Sequence, residues 1–195
     1  MGLILPPDYA MAPEGSAGGI LSGNGTIASN VSVSNGSILS PGNSPGTLHF
    51  TGLIEFGPSG RYTWEINDVD AGAGVFPGWD LIDIADQLMI TATAGAKYQI
   101  DVTSLTLGDA AGAVHDFDPA QSYDWIIATA GGGITGFDAN FFQVNTSSFA
   151  NSFDGSFSLV QSGNGLFLHY SAVPEPGSCT LAAVGWYVRR RRRLA

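Results

Sequence analysis

The chain has 195 residues, of which 44% are hydrophobic and 12% are charged, so it is long and apolar enough for one folded domain and is not disordered throughout. Residues 1–176 contain two basic side chains, Arg61 and Lys97, against all 17 acidic ones. A surface of this charge repels nucleic acid, which we therefore do not expect as a partner.

Residues 1–17 do not resemble a secretory signal. They contain no basic residue, and Pro6 and Pro7 interrupt the apolar start. We expect them to form a separate N-terminal segment, disordered or truncated, with the natural start of the protein upstream.

Residues 18–60 consist of short apolar stretches separated by turn residues. Val31 and Val33 alternate with serines, and Leu48 and Phe50 likewise alternate with polar residues. Asn-Gly and Pro-Gly pairs stand between such stretches. Alternation with a period of two between these turns predicts β-strands.

From Arg61 onward the predicted strands are longer and contain aromatic residues, apart from an acidic, glycine-rich loop at 68–78. The candidates are residues 62–66, 81–93, 98–107, 125–129, 141–144, 153–160 and 166–170. Turns spaced about 10–14 residues apart are typical of an all-β protein, either a β-sandwich or a parallel, β-helix-like β-solenoid. The small polar residues and the glycines at the turns favour the solenoid.

Aspartates in the predicted loops are the candidate metal ligands. Asp68, Asp70, Asp80 and Asp83 lie within one segment, and calcium prefers such oxygen ligands in flexible loops. The spacing does not match an EF-hand, because no glutamate closes the loop. Our main interpretation is solvated acidic loops with no metal and no cofactor, and calcium at these four residues is the alternative.

Other patterns give weak support for catalysis or sugar binding. Residues 42–46 match G-x-S-x-G, but Pro45 follows the serine and has no N–H to donate to an oxyanion. His49, His115 and His169 do not have the spacing of a zinc motif. The aromatic residues available to stack on sugars, which we expect mainly in the core, are Tyr62, Trp64, Trp79 and Trp125.

The last 23 residues combine three features in a fixed order. Val173, Pro174, Glu175 and Pro176 are followed by an apolar stretch, residues 177–188, and then by a basic stop of Arg189, Arg190, Arg191, Arg192 and Arg193. This arrangement resembles the PEP-CTERM sorting signal of bacterial surface proteins. The resemblance implies that an exosortase-type membrane protease recognises and cleaves the chain near the Pro-Glu-Pro motif.

The apolar stretch is shorter than a membrane-spanning helix. Residues 177–188 would form a short hydrophobic helix about 18 Å long, against a hydrocarbon core of about 30 Å. The arginines would remain in the cytoplasm under the positive-inside rule. We therefore expect transient anchoring in the inner membrane through residues 177–188, followed by cleavage.

A second resemblance lies in residues 18–60. Their segments Gly-Asn-Gly-Thr-Ile, Val-Ser-Val-Ser-Asn-Gly and Ser-Pro-Gly-Asn-Ser-Pro-Gly-Thr-Leu are similar to the repeat of autotransporter-like β-helical regions. This resemblance implies a parallel β-solenoid on a bacterial surface.

Together these features divide the chain into residues 1–17, an all-β extracellular domain at 18–172 and a sorting signal at 173–195. We predict a non-enzymatic, exported protein of the cell surface or the extracellular biofilm matrix, with a structural or adhesive role and extracellular polysaccharide as a partner. The alternatives are a carbohydrate-binding module, with or without calcium, and a degraded β-helical enzyme that acts on polysaccharides.

Overall fold

The computed structural model describes residues 9–10, 18–42 and 44–174. Within these residues the chain is all-β, as predicted, and the helix they contain is one turn of 3₁₀ helix at Ala139–Phe141. The strands belong to three sheets, which we call A, B and C.

Sheet A consists of five strands that pair in parallel. In spatial order they are β1 (Tyr9–Ala10), β4 (Val31–Val33), β7 (Ile54–Phe56), β12 (Leu88–Ile90) and β15 (Ile134–Thr135). Apolar residues stand above one another in this sheet, since Val31 is in register with Ile54 and Ile54 with Leu88.

Sheet B repeats this arrangement with a short extension. Its parallel strands are β2 (Ile20–Gly23), β5 (Ile38–Pro41), β8 (Arg61–Ile66), β13 (Tyr98–Ser104) and β16 (Phe142–Ser148). Two further strands, β9 (Gly72–Ala73) and β10 (Gly78–Trp79), pair in parallel with each other, and β10 is antiparallel to β8.

Sheet C is parallel over most of its width and ends in a hairpin. The parallel strands are β3 (Gly25–Ile27), β6 (Thr47–Phe50), β11 (Leu81–Ile84) and β14 (Tyr123–Ala130). The hairpin of β17 (Ser156–Ser162) and β18 (Gly165–Ser171) then joins β14 in antiparallel fashion through β18.

The chain enters the sheets in the order A, B, C and then starts again one strand further along each sheet. Strands β4, β5 and β6 form one such turn of the coil, β7, β8 and β11 the next, and β12, β13 and β14 the turn after that. Parallel neighbours therefore come from successive turns of the coil, whereas antiparallel pairing joins β10 to β8 and β17 and β18 to the end of sheet C.

The core lies between the three sheets and follows from the alternation within each strand. In β8, for example, Tyr62, Trp64 and Ile66 are fully buried, while the residues between them face outward. The rings also stack from one turn of the coil to the next, as Phe56 and Tyr98 do with centroids 4.2 Å apart.

An aromatic cluster closes the core where the hairpin joins sheet C. Tyr123 and Trp125 stack with centroids 5.0 Å apart, and Phe157 contacts both Trp125 and Tyr170. Phe117, Phe149 and Phe153 complete the cluster. Since aromatic rings offer more buried area than aliphatic side chains, this cluster closes the core at its C-terminal end.

Two sequence-based predictions of strands need correction. Residues 81–93 were expected as one strand but form β11 and β12 in different sheets, because the chain turns a corner at residues 85–87. The acidic loop at 68–78 contains the short strand β9 and the first residue of β10. The expected C-terminal hydrophobic helix and most of residues 1–17 lie outside the described residues.

Because successive turns of the coil stack closely, we expect a methyl group added at Gly60 to destabilise the fold. A Cβ there would lie 2.1 Å from the Val33 carbonyl oxygen and 2.6 Å from Cε2 of Tyr98. We expect Gly60→Ala to lower the free energy of unfolding by about 1–3 kcal/mol through overpacking, measured by urea denaturation. Gly95→Ala is the control, because nothing lies within 4 Å of its added Cβ, and equal effects of the two variants would contradict the stacking.

Candidate functional site

The outer face of sheet C carries a row of polar residues from three successive turns of the coil. His49, Asp83 and Thr129 are in register on β6, β11 and β14. His49 Nδ1 lies 3.0 Å from Asp83 Oδ2, and the Thr129 hydroxyl donates to Asp83 Oδ1 at 2.8 Å. The side chains of His49 and Asp83 are 49% and 48% exposed, so both remain accessible to a ligand.

A second row on this face is apolar. Ile126, Phe167 and Val160 are in register across β14, β18 and β17, and all three point away from the core. Val160 is 41% exposed. The Phe167 ring covers Gly165, since a Cβ on Gly165 would lie 2.7 Å from Phe167 Cε2 and 3.1 Å from Ile126 Cδ1.

A third row is polar again. Asp124 and His169 are cross-strand neighbours on β14 and β18, and His169 Nδ1 lies 2.7 Å from Asp124 Oδ1. Ser158 follows in register on β17. The apolar row thus lies between two histidine–aspartate pairs.

An open cavity of about 470 Å³ lies on this face, and we call it the sheet C groove. Its lining combines Asp83 and Thr129 from the first row, Ile126 and Phe167 from the second, and the β17–β18 turn. The full lining is Asp83, Ile84, Ala85, Ile126, Thr129, Ala130, Gly131, Ser162, Asn164, Gly165 and Phe167. The lining contains one carboxylate and no basic side chain, and more of its surface is apolar than polar.

These residues suit binding by shape and hydrogen bonds. The Asp83 carboxylate has about four acceptor positions, of which His49 and Thr129 occupy two. The ring of Phe167 and the side chain of Ile126 offer an apolar surface beside it. Sequence reasoning missed this site. The alternation within residues 166–170 was a usable signal, because the buried residues 166, 168 and 170 leave Phe167 and His169 on the outer face.

A buried carboxylate elsewhere in the fold connects β8 with the residues that immediately precede β6 and β11. Asp80 is fully buried, with Oδ1 accepting the N–H of Gly46 at 2.8 Å and Oδ2 the N–H of Glu65 at 3.0 Å. Burial raises the pKa of Asp80 to about 8, with a further rise from the Glu65 and Asp109 charges, although the two N–H donors oppose the shift. Burial also raises the pKa of Glu65.

A polar cluster on the outer face of sheet B involves one of the two basic residues of the body. Arg61 donates from Nε and Nη2 to Asp101 Oδ2 at 2.9 and 2.8 Å, and Asn145 donates to Oδ1 at 2.7 Å. Desolvation raises the pKa of Asp101, but the hydrogen bonds from Asn145, Gln99 and Arg61 outweigh it and hold that pKa below its ordinary value. Arg61 is therefore occupied within the fold.

The four aspartates of the calcium hypothesis lie in different surroundings. Asp80 is buried, Asp83 is on the outer face of sheet C, Asp70 is exposed, and Asp68 lies 3.6 Å from His115 Nδ1. No three His, Cys, Asp or Glu side chains in the described part of the chain are grouped so that they could hold a metal ion. Calcium binding stays a prediction, and the four aspartates named for it do not come together in one site. The expectation that all of these aspartates are solvated is wrong for Asp80.

The aromatic residues considered for sugar stacking are in the core, as mainly expected. Trp64 donates its Nε1–H to the Asp80 carbonyl at 2.9 Å, Trp79 to that of Ile126 at 2.9 Å, and Trp125 to that of Val69 at 3.3 Å. Tyr62 is also buried. None of these four side chains is available to stack on a ligand at the surface.

The remaining sequence motifs are placed as follows. Of residues 42–46, the described ones form a turn between β5 and β6, and a strand rather than a helix follows them. Val173 and Pro174 are exposed just after β18, whereas Glu175, Pro176, residues 177–188 and Arg189–Arg193 lie outside the described residues. Across residues 9–10, 18–42 and 44–174 no helix has the length and apolarity needed to cross a membrane.

No family model matches the chain, and no curated protein matches it either.

Asp80 predicts a specific dependence of stability on pH. Its pKa of about 8 in the fold exceeds the value of about 3.9 in an unfolded chain, so its contribution is fully present below pH 4 and is lost as pH rises toward 8. We expect wild-type protein to lose about 1.4 kcal/mol of unfolding free energy per pH unit more than Asp80→Asn between pH 5 and 7.

Urea denaturation at several pH values measures this difference. Asp80→Asn will also lose some stability at all pH values, because one of the two N–H donors loses its acceptor. Asp154→Asn, at an exposed position, is the control and should keep the wild-type slope. Identical slopes for wild type and Asp80→Asn would show that Asp80 is ionised in the fold throughout this range.

Proposed function

We propose that this chain is a non-enzymatic, exported protein of the bacterial surface or extracellular matrix, with a short parallel β-solenoid as its body. An exosortase-type membrane protease would recognise Val173–Pro176 and remove the tail. The observation that carries the proposal is the ordered combination of Pro-Glu-Pro, an apolar stretch and five arginines.

The position of the motif relative to the fold supports this proposal. β18 ends at Ser171, and Val173 is 54% exposed. The motif therefore begins two residues after the last strand, and a protease would reach it without unfolding sheet C. Residues 177–188 are too short for a stable span of about 30 Å, which is consistent with a transient anchor.

The composition of the body supports a structural or adhesive role. After removal of the tail, the only basic residues of the sequence that remain are Arg61 and Lys97, and Asp101 binds Arg61. An acidic surface keeps such a protein soluble and repels anionic polymers. Sites that act on acidic polysaccharides need basic residues, which favours a scaffold or an adhesin over an enzyme.

A carbohydrate-binding module is the second candidate function, and the sheet C groove favours it. The residues that carry this candidate are Phe167 and Asp83, rather than the tryptophans named from the sequence, which are buried.

Mass spectrometry of the secreted protein tests the sorting proposal. In the native host, we expect the mature protein to lack Arg189–Arg193. Combined substitution of Pro174, Glu175 and Pro176 by alanine should leave the arginines attached, because the protease no longer recognises its substrate.

Asp154→Ala is the control for this experiment, since it removes an exposed acidic residue from the body and should not affect processing. Secreted wild-type protein that still carries all five arginines would contradict the proposal. So would normal processing of the triple alanine variant.

A further inference from the structure

We infer that the sheet C groove binds a neutral polysaccharide, with the Phe167 ring stacking on a sugar ring and Asp83 accepting hydrogen bonds from sugar hydroxyls. This inference deepens the adhesive part of the proposed function and rests on it for its biological role. The binding itself is a property of the body and does not depend on the sorting signal.

The surroundings of Phe167 allow its ring to stack on a sugar. Gly165, two residues before it on β18, leaves room for the ring, and Ile126 is its cross-strand neighbour on β14. Any larger residue at 165 would displace the ring, because even a Cβ would lie 2.7 Å from Cε2. The ring is thus held against the sheet on one side and is partly exposed on the other.

Hydrogen-bonding groups line the same groove as this ring. Asp83 is in register with His49 and Thr129, which fix its carboxylate from both sides. The Asp83 side chain is 48% exposed, so the remaining acceptor positions of its carboxylate are accessible to ligand donors. Asn164 and Ser162 contribute further polar groups from the β17–β18 turn.

The charge of the lining selects the class of ligand. The groove contains Asp83 and no basic residue, while Arg61 is engaged with Asp101 on sheet B and Lys97 lies in the turn before β13. An anionic polymer would therefore be repelled. A purely apolar ligand would cover the remaining acceptor positions of the Asp83 carboxylate without offering them a donor. A neutral sugar satisfies both parts of the groove, since its ring has an apolar face and hydroxyl donors.

The dimensions of the site also agree with a chain of sugars. The groove is an open depression with a volume of about 470 Å³, so a ligand would lie along it rather than be enclosed. The apolar row continues past the groove to Val160, which is 41% exposed, and the Asp124–His169 pair borders it. A polymer would therefore pass along the face rather than end in the groove.

The test is binding of the full chain, with Arg189–Arg193 replaced by serine so that the tail does not attract an anionic polymer, to immobilised dextran, laminarin, mannan and xylan, with alginate as the anionic comparison. We expect retention on at least one neutral glycan and none on alginate. Phe167→Leu keeps an apolar side chain over Gly165 but removes the aromatic face, and it should weaken binding by about tenfold or more. Phe167→Tyr should bind like wild type, and Asp83→Asn should bind less tightly.

Phe76→Leu is the matched control, because Phe76 is also exposed, at 54%, but lies between β9 and β10. Thermal melts of all variants separate a loss of binding from a loss of folding, and Phe167→Tyr provides a folded reference.

Three results would overturn the inference: no retention on the four neutral glycans, equal binding by wild type and Phe167→Leu, or a preference for alginate. Self-association that Phe167→Leu abolishes would assign the face to a second copy of the chain instead. None of these results affects tail cleavage, so failure of this inference is distinguishable from failure of the sorting proposal.

Discussion

Parallel, in-register pairing between successive turns of the coil is the constraint on which the rest of this structure depends. Each residue of a strand stands above its partner in the turn below, as Val31 does over Ile54 and Ile54 over Leu88. A shift of one residue would move every buried side chain to the outer face. The same register that builds the core therefore also decides which polar side chains meet outside it.

The outer face of sheet C illustrates this consequence. His49, Asp83 and Thr129 come from positions up to 80 residues apart, yet register alone places them in one row. The antiparallel hairpin then adds an apolar row, because it brings Phe167 beside Ile126. The proposed binding face is thus a joint product of the parallel coil and the hairpin that ends it.

Much of the fold was predictable from the sequence, because strand alternation is a local signal. The alternation of Val31 and Val33 between turn residues identified a strand with its buried face, and the all-β class followed from many such segments. The pairing of strands was less accessible. The same alternation suits a sandwich of hairpins, and only long-range contacts decide between the two arrangements.

The site was less predictable for a related reason. Phe167 stands between Leu166 and Leu168, so that the three residues have the appearance of one core stretch in the sequence. Asp80 seemed to belong to a solvated loop because its backbone donors, Gly46 and Glu65, are 34 and 15 residues away. Burial of a polar group depends on such distant donors, which composition and spacing do not reveal.

Cysteine cross-linking across β6 and β11 tests the register most directly. In a Cys179→Ser background, His49→Cys with Asp83→Cys places two thiols on in-register neighbours, whose Cα atoms are about 4.8 Å apart in a β-sheet. Thr47→Cys with Asp83→Cys is offset by two residues, at about 8 Å and beyond the reach of about 7 Å for a disulfide. The parallel coil predicts that mild oxidation cross-links the first pair and leaves both thiols of the second free. No disulfide in the first pair, or equal yields in both, would contradict the register and with it the proposed face of sheet C.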